Sequence, residues 1–267
     1  MTLRVAATQM RTGPDKERNL EAAVRLIDLA AERGARVVAF PEVFNIRGKG
    51  LSTPNAEPIP GPTTDLLSEK ARARRIWILG GSIPERAPEA APRLFNTSTL
   101  ISPAGEIVAR YRKIHLFDVM LTDGPTSRES DTYAPGDEIV TADLDDTRVG
   151  LSVCYDLRFP ELYRALAMAG ARIVFVPSAF SAMTGAYHWH VLLRARAIED
   201  QFFVVAPAQI GGTAGAMDTY GHALIADPWG RVIAEAGDGD ELITADLDLD
   251  SLARIRVELP LLANRRL

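Results

Sequence analysis

The sequence predicts an α/β fold with mixed sheets, because three features of the 267-residue chain agree. Short runs rich in β-branched residues recur along the chain, which is typical of strands. Longer stretches with apolar residues at helical spacing lie between some of these runs, as in units where a helix connects parallel strands. Other runs follow each other across a short turn, which indicates antiparallel hairpins. The length suits a single domain, 1–267, around one core.

The predicted strands are short, apolar and bounded by polar or turn-forming residues. In chain order they are Leu3–Thr8, Arg36–Phe40, Ile76–Leu79, Thr97–Ile101, Ile107–Tyr111, Ile139–Ala142, Val149–Val153, Ile173–Val176, Phe203–Ala206, Leu224–Ala226, Val232–Ala234 and Leu242–Ala245. The segment from Ser102 to Gly105 contains Pro and Gly between two of these strands, which predicts a hairpin turn.

The clearest predicted helix is Lys16–Arg33, with Asp15 as its N-cap and Gly34 as its stop. Its apolar residues recur on one face, which is typical of a helix that packs on a sheet. The same signals predict three further helices: Thr64–Arg75, Pro160–Ala169 and Tyr187–Asp200.

Long stretches rich in Pro, Gly or polar residues predict loops at Arg47–Thr63, Ile83–Arg93 and Phe117–Asp137. The last of these is long enough to act as a lid over a site. The acidic segments Asp143–Asp146 and Asp246–Asp250 are interpreted as solvated turns at strand ends.

Composition excludes several classes of partner. Thirty basic and 35 acidic residues give a formal charge of −5, which argues against nucleic-acid binding. The longest uncharged run, Ile173–Leu193, holds too many polar and helix-breaking residues to span a membrane, and the amino terminus lacks the pattern of a signal peptide. The only cysteine, Cys154, cannot form an internal disulfide, which favours a reducing compartment and a soluble, cytoplasmic protein.

Common motifs for phosphate, dinucleotide and serine-nucleophile sites are missing from the sequence. Metal binding has little support: the chain has four histidines, and the only close pair is His188 and His190. Residues two apart on a helix point in different directions, so this pair favours a structural role, and no metal site is predicted.

Three reactive residues each follow directly on a predicted strand or end it: Glu42, Lys113 and Cys154. Open α/β sheets place their sites at the carboxyl ends of strands, so the three can meet in one crevice. There Cys154 would be a nucleophile, with Lys113 lowering its pKa from about 8.5. Glu42 would be a base, with its pKa raised to about 6–7 by burial.

Each of these residues also has a structural interpretation. A lone cysteine is often a small buried apolar residue. A lysine at a basic strand end is usually solvated, and a glutamate after a strand often caps a helix or forms a surface ion pair. The residue types alone leave both interpretations open.

Three segments together resemble the signatures of the nitrilase superfamily of carbon–nitrogen hydrolases. They are Phe40–Glu42, Tyr111–Asp118 and Ser152–Glu161, and their order and spacing match the superfamily over nearly the whole chain. The resemblance implies a four-layer α-β-β-α sandwich, no metal or organic cofactor, and a homodimer or larger assembly. The dimer would form through the helices at Pro160–Ala169 and Tyr187–Asp200.

Carried over to this sequence, the resemblance implies Glu42 as general base, Lys113 as the cation that stabilises an oxyanion, and Cys154 as nucleophile. Glu129 matches the second glutamate that the superfamily places near the lysine, with a positioning role. The backbone N–H of Tyr155 would be the second oxyanion donor. A Cys154 thiolate would attack an amide carbonyl, ammonia would leave, and water would open the resulting thioester.

The segment Thr184–Glu199 is most similar to the branch with deaminated glutathione amidase and the ω-amidases, which hydrolyse 2-oxo-acid amides. It departs from the branch at His190, where Glu is usual, and the chain departs again at Asn264, where His is common. A substrate carboxylate would need a cation, and Arg158 is the candidate.

Arg158 has an alternative as an ion-pair partner of Glu161 or Asp156. Further candidate pocket residues are Phe180, Thr184 and His188, each of which has an alternative in core packing. Alternative activities are an aliphatic amidase, an N-carbamoyl amino acid hydrolase or a nitrilase. A non-catalytic scaffold or thiol sensor is the alternative outside enzymology.

Overall fold

The computed structural model describes residues 1–120, 122, 126–213 and 215–266. Its strands are β1 (Thr2–Met10), β2 (Val37–Ala39), β3 (Trp77–Leu79), β4 (Ile83–Glu85), β5 (Phe95–Ile101), β6 (Ile107–Arg112), β7 (Asp118–Met120), β8 (Thr126–Arg128), β9 (Thr141–Leu144), β10 (Thr147–Leu151), β11 (Ile173–Phe175), β12 (Phe203–Ala206), β13 (Ala208–Gly211), β14 (Thr219–Tyr220), β15 (Leu224–Ala226), β16 (Val232–Glu235) and β17 (Glu241–Asp248). Its helices are α1 (Lys16–Glu32), α2 (Pro62–Arg74), α3 (Pro160–Met168), α4 (Ala182–Asp200) and α5 (Leu249–Glu258). Each strand and helix predicted from the sequence is present; β12 and β15 have the predicted bounds, and the other predicted elements have shifted ends.

Two mixed sheets form the centre of the fold. In the first, the strand order is β14-β13-β1-β2-β3-β5-β4, with β17 beside β1 and β6 beside β5. In the second, the order is β16-β15-β12-β11-β10-β9. Strands β10, β11 and β12 are parallel, whereas β9, β15 and β16 pair antiparallel. The predicted hairpin is also confirmed, because β5 and β6 pair antiparallel.

Side chains alternate between the two faces of the strands of the first sheet, so the two larger clusters of the core lie on opposite faces of it. Ala6 and Val38 pack with residues of α1 and α2, such as Ile27. Val5 and Val37 pack in the cluster that contains the strands of the second sheet. On that sheet's other face, α3 approaches so closely that a Cβ at position 150 would touch the Leu166 side chain. The layers are therefore α-β-β-α, as the resemblance implied.

Helix α4 begins at Ala182, five residues before the predicted start at Tyr187. Gly185 reads as a helix breaker in the sequence. In the structure it lies against the ring of Tyr220, and a Cβ there would collide with that side chain. Close packing thus explains a glycine inside this helix. Neither α4 nor another helix in the described part of the chain combines the length and hydropathy needed to cross a membrane.

The segment Asp246–Asp250 ends strand β17, as predicted, but the predicted turn is wrong, because α5 begins directly afterwards at Leu249. The Asp248 carboxylate accepts hydrogen bonds from the backbone N–H groups of Asp250 and Ser251, both at 3.0 Å, and so caps the helix. The apolar residues Leu249 and Leu252 are buried beneath it. The other acidic segment turns between β9 and β10, as predicted.

Two predicted loops contain short strands. Ile83–Arg93 includes β4, which pairs with β5 at the edge of the first sheet. Phe117–Asp137 includes the hairpin of β7 and β8. Each of these three strands contains a proline or a charged residue instead of an apolar run, so tertiary pairing decides its conformation. The movement of Phe117–Asp137 as a lid stays a prediction, and residues 121 and 123–125 within it lie outside the described residues.

The last residue of α4, Asp200, provides a stability prediction. Its buried carboxylate lies 3.1 Å from Arg164 Nη1, yet neither oxygen has a hydrogen-bond partner among the described residues. Burial raises the pKa of Asp200 to about 7. In the unfolded chain the pKa is about 4, so stability is lost as pH rises between these values. We expect Asp200→Asn to match the wild type near pH 4 and to be more stable at pH 8.

The expected gain at pH 8 is about 1–3 kcal/mol in the free energy of unfolding, measured by urea denaturation at both pH values. Asp143→Asn is the control, because its carboxylate is 60% exposed. A gain for Asp200→Asn that does not change with pH would contradict the prediction.

Candidate active site

Strand ends of both sheets meet at one crevice. Glu42 follows β2 and Lys113 follows β6, both in the first sheet, whereas Cys154 follows β10 in the second. All three line the same cavity, whose volume is about 320 Å³. The expectation that strand ends bring these residues together is confirmed.

Cys154 has a backbone conformation that is rare for residues other than glycine, with φ of +50°. Its N–H donates to the Pro177 carbonyl at 2.9 Å, and a 3₁₀ helix, Cys154–Arg158, begins at this residue. The Asp156 carboxylate accepts a hydrogen bond from the Val153 N–H at 2.8 Å, which closes the turn. Such strain in a tightly held turn is typical of functional sites.

The Lys113 ammonium lies between two carboxylates. Its Nζ donates to Glu42 Oε1 and to Glu129 Oε2, each at 2.8 Å. The amide of Asn96 spans the same pair, donating to Glu42 at 2.9 Å and to Glu129 at 3.1 Å. The second Glu42 oxygen accepts from the Ala179 N–H at 2.9 Å. These bonds hold Glu42, Lys113 and Glu129 in one arrangement.

Electrostatics within this network decide where the protons are. Burial lowers the pKa of Lys113, but the charges of Glu129 and Glu42 outweigh it and raise the pKa well above its ordinary value. Burial raises the pKa of Glu42, but the Lys113 charge and hydrogen bonds outweigh it and the pKa is lowered. The predicted rise in the Glu42 pKa is therefore wrong.

The predicted fall in the Cys154 pKa is also wrong. Burial raises the pKa of Cys154 well above its ordinary value, and the Glu42 charge raises it further, whereas Lys113 opposes them. The resting state is therefore a neutral thiol beside an ionised carboxylate. A thiol that loses its proton to Glu42 during attack fits this arrangement better than a preformed thiolate.

Sequence reasoning missed a supporting group beneath the turn. Asp156 is fully buried and accepts hydrogen bonds from the Tyr111 hydroxyl at 2.7 Å and from the His115 N–H at 3.0 Å. Asp156 therefore connects the turn at Cys154 to the segment that carries Lys113. Asn96 was missed as well, because an Asn inside a strand carries no local signal of function.

Arg158 also lines the cavity. Its Nη2 lies 3.2 Å from Thr184 Oγ1, and its guanidinium lies 4.8 Å from the centre of the Phe180 ring. Within the described residues it forms no ion pair with Glu161 or Asp156, so that alternative is wrong. Thr184 and Phe180 line the cavity, as does Tyr155, whose side chain contacts Phe117 edge to face.

His188 does not line the cavity, contrary to the expectation. It is exposed, and its Nδ1 lies 3.1 Å from Arg158 Nη1, so its contact with the site is indirect. Arg47 lines the cavity instead, although no motif in the sequence singles it out. Its guanidinium donates to the carbonyls of Gly211 and Met217.

Comparison with known proteins establishes the family. A family model described as carbon-nitrogen hydrolase matches residues 4–257. The chain belongs to the carbon–nitrogen hydrolase family. A deaminated glutathione amidase of Synechocystis is 43% identical over 263 residues, which are 97% of this chain and 97% of that protein.

Two further relatives agree with this carbon–nitrogen hydrolase assignment. The omega-amidase NIT2 of Mus musculus is 39% identical over 266 residues, or 99% of this chain and 95% of the mouse protein. Saccharomyces cerevisiae Nit3, a member of branch 10 of the nitrilase superfamily, superposes with a TM-score of 0.89 at 33% identity, covering 100% of this chain and 97% of that one. The resemblance noted in the sequence is confirmed, and the protein is a hydrolase of carbon–nitrogen bonds other than peptide bonds.

Proposed function

We propose that the protein is a thiol amidase that hydrolyses a small amide bearing a carboxylate, such as 2-oxoglutaramate or deaminated glutathione. The observation that carries this proposal is the convergence of Cys154, Glu42 and Lys113 in one cavity with Arg158. The first three are the groups needed to open an amide, and the guanidinium is a partner for a carboxylate.

Acylation follows from the proton positions. Glu42 accepts the proton of the Cys154 thiol as the sulfur forms a bond to the amide carbonyl carbon. Negative charge develops on the carbonyl oxygen, where Lys113 and the Tyr155 N–H are the proposed donors. The carbon–nitrogen bond then breaks as Glu42 returns its proton to the nitrogen. The products are a thioester on Cys154 and a free amine, which is ammonia for a primary amide.

Deacylation uses the same groups, with water in place of the thiol as the nucleophile. Glu42 takes a proton from water, and the hydroxide oxygen bonds to the thioester carbonyl carbon. The carbon–sulfur bond breaks, the acid is released, and the proton on Glu42 returns to sulfur. Glu129 touches Lys113 and Asn96, and we propose that it positions the ammonium. No step of this scheme calls for a cofactor.

The substrate class is inferred from Arg158 and Thr184 in the cavity lining and from the relatives. Arg158 lies next to Thr184, so a carboxylate there can bind both the guanidinium and the hydroxyl. The relatives named deaminated glutathione amidase and omega-amidase support the same class. The experiment is a panel of 2-oxoglutaramate, deaminated glutathione, an aliphatic amide, an N-carbamoyl amino acid and a nitrile, with acid and amine products quantified. Preference for either of the first two supports the proposal, whereas preference for another compound or no turnover contradicts it.

Replacement of Arg158 tests carboxylate recognition directly. We expect Arg158→Gln to lower kcat/KM for 2-oxoglutaramate by about 30–100-fold, because a charge-assisted hydrogen bond contributes about 2–3 kcal/mol. The change for a neutral aliphatic amide is expected to be within about threefold. Arg148→Gln is the matched control, because Arg148 pairs with Asp143 on the β9–β10 hairpin. Unchanged selectivity in Arg158→Gln would rule out this role.

We also propose a homodimer formed through α3 and α4. Large apolar side chains are exposed on these helices: Met168, Met183, Tyr187, Val191 and Ile198. Contiguous exposed apolar surface is typical of protein interfaces. Sedimentation velocity tests the assembly, and a monomer at micromolar concentration would contradict it. We also propose that residues 1–267 form a single domain, since β1 pairs with β17 across nearly the whole chain. A cytoplasmic location is proposed because a lone cysteine favours a reducing compartment.

A further inference from the structure

Two imidazoles and one carboxylate meet at a place separate from the predicted active site. His190 belongs to α4, His222 follows β14, and Glu235 is the last residue of β16. His190 Nε2 and His222 Nδ1 each lie 2.8 Å from Glu235 Oε1. One ligand-type atom from each residue falls within 4.8 Å of the other two.

We propose that His190, His222 and Glu235 form a binding site for a divalent transition metal of the Zn²⁺ class. Imidazole nitrogens suit Zn²⁺, Co²⁺ and Ni²⁺, whereas Mg²⁺ and Ca²⁺ favour all-oxygen sites. Two histidines with one glutamate form a known set of zinc ligands. Zinc–ligand bonds of about 2.0–2.2 Å place donor atoms roughly 3.3 Å apart in a tetrahedron. The three donor atoms already lie within 4.8 Å of one another, so side-chain adjustments of up to about 1.5 Å would admit the ion.

The cluster is held in place by contacts outside the three side chains. Trp189 Nε1 donates to the His222 carbonyl at 2.7 Å, which fixes the loop to α4. His222 has φ of +55°, a conformation seldom adopted by residues other than glycine. The ring centre of Tyr220 lies 4.4 Å from that of His222, with the planes tilted by 30°. The surroundings therefore orient the His222 ring before any ion binds.

Charge and exposure suit a cation that keeps a water ligand. About a third of each side chain is accessible: 31% for His190, 30% for His222 and 35% for Glu235. The Glu235 carboxylate brings an acidic ligand to the two imidazoles. A set of one carboxylate and two imidazoles leaves room for solvent to complete the coordination.

The sequence predicted no metal site because it paired His190 with His188, its neighbour along the helix. The structure directs the two side chains to different partners, Arg158 for His188 and Glu235 for His190. The ligands instead come from three elements that are distant in sequence. A bound ion would link α4 to β14 and β16, so its expected role is to stabilise the helix that carries Thr184.

The test uses full-length protein with Cys154→Ala, so that the thiol does not compete for metal. Co²⁺ is titrated at pH 7.5 by visible absorption, and Zn²⁺ by calorimetry. We expect one equivalent per chain, and at 100 times the Kd we expect Zn²⁺ to raise the Tm by roughly 5 °C. His190→Gln and His222→Gln are each expected to weaken binding at least about 100-fold, since even outer partners of metal ligands change affinity 10–100-fold.

His188→Gln is the matched control for metal affinity, because it removes an imidazole from the same helix outside the cluster. A second measurement needs no substitution in the cluster. Carbethoxylation of histidines, followed by peptide mass spectrometry, is expected to show Zn²⁺ protection at His190 and His222 but not at His188. The proposal is overturned if the Cys154→Ala protein binds neither ion, if His188→Gln loses affinity as the cluster variants do, or if Zn²⁺ protects neither cluster histidine.

Discussion

Cys154→Ala is expected to lower kcat for amide hydrolysis by at least about 10⁴-fold while leaving the fold intact. The reason is that the thiol supplies the bond-forming atom, and catalytic nucleophiles that act together with a base show losses of this order when removed. The measurement is product formation from the best substrate of the panel, with circular dichroism and urea denaturation to confirm folding. Activity within 100-fold of the wild type would contradict a role as nucleophile.

The protonation state of the Cys154 thiol can be tested in the wild-type protein. Cys154 is the only cysteine in the chain, so one alkylation by iodoacetamide, detected by intact mass, reports on this residue alone. Because burial and the Glu42 charge raise the pKa of Cys154, the alkylation rate is expected to rise about tenfold per pH unit from pH 7 to pH 9. A plateau near pH 7 would indicate a preformed thiolate. Cys154→Ala is the control and is expected to show no adduct.

Lys113→Met is expected to reduce both activity and stability. The change leaves the carboxylates of Glu42 and Glu129 without their shared cation, although these side chains are only 5% and 12% exposed. Removing one partner of a buried ion pair destabilises a protein by about 3–5 kcal/mol. Loss of an oxyanion donor lowers kcat by about 10²–10³-fold. Urea denaturation and steady-state kinetics measure the two effects.

Two controls separate the electrostatic effect on folding from the effect on catalysis. Lys113→Met combined with Glu129→Gln removes one of the two unpaired carboxylates, so we expect it to regain part of the stability and none of the activity. Lys16→Met removes the cation paired with the buried Glu57, outside the cavity, so it is expected to lower stability without changing kcat. Activity restored by Glu129→Gln would show that Lys113 acts only on folding.

Local sequence identified most of the fold. Strand runs and helix caps identify all six strands of the second sheet, six of the nine strands of the first sheet and four of the five helices of the described residues, because period and termination signals are local properties of the chain. The failures have a common cause. The strands β4, β7 and β8 lack an apolar run and exist through their pairing partners, and the residue at position 185 of α4 is a glycine because the Tyr220 ring lies against it.

The candidate active site also contains residues that the sequence predicted and residues that it missed. Glu42, Lys113 and Cys154 were predicted because reactive residues after strands meet at one edge of a sheet, and the match to three ordered segments added Glu129. Asn96 and Asp156 were missed because their roles depend on partners 33 to 54 residues away. The pKa directions of Cys154 and Glu42 were predicted with the wrong sign, since they depend on burial and on the distance between charges.

The sequence by itself determined which residue types follow which strands, and with them the family and the chemistry available to the cavity. Only the tertiary structure decided which charges face each other. It placed Lys113 between two carboxylates, left the thiol protonated, and directed His190 to His222 and Glu235 rather than to His188. The physical reason is that hydrogen bonds and ion pairs act over a few ångströms in space, whereas periodicity and capping act over a few residues along the chain.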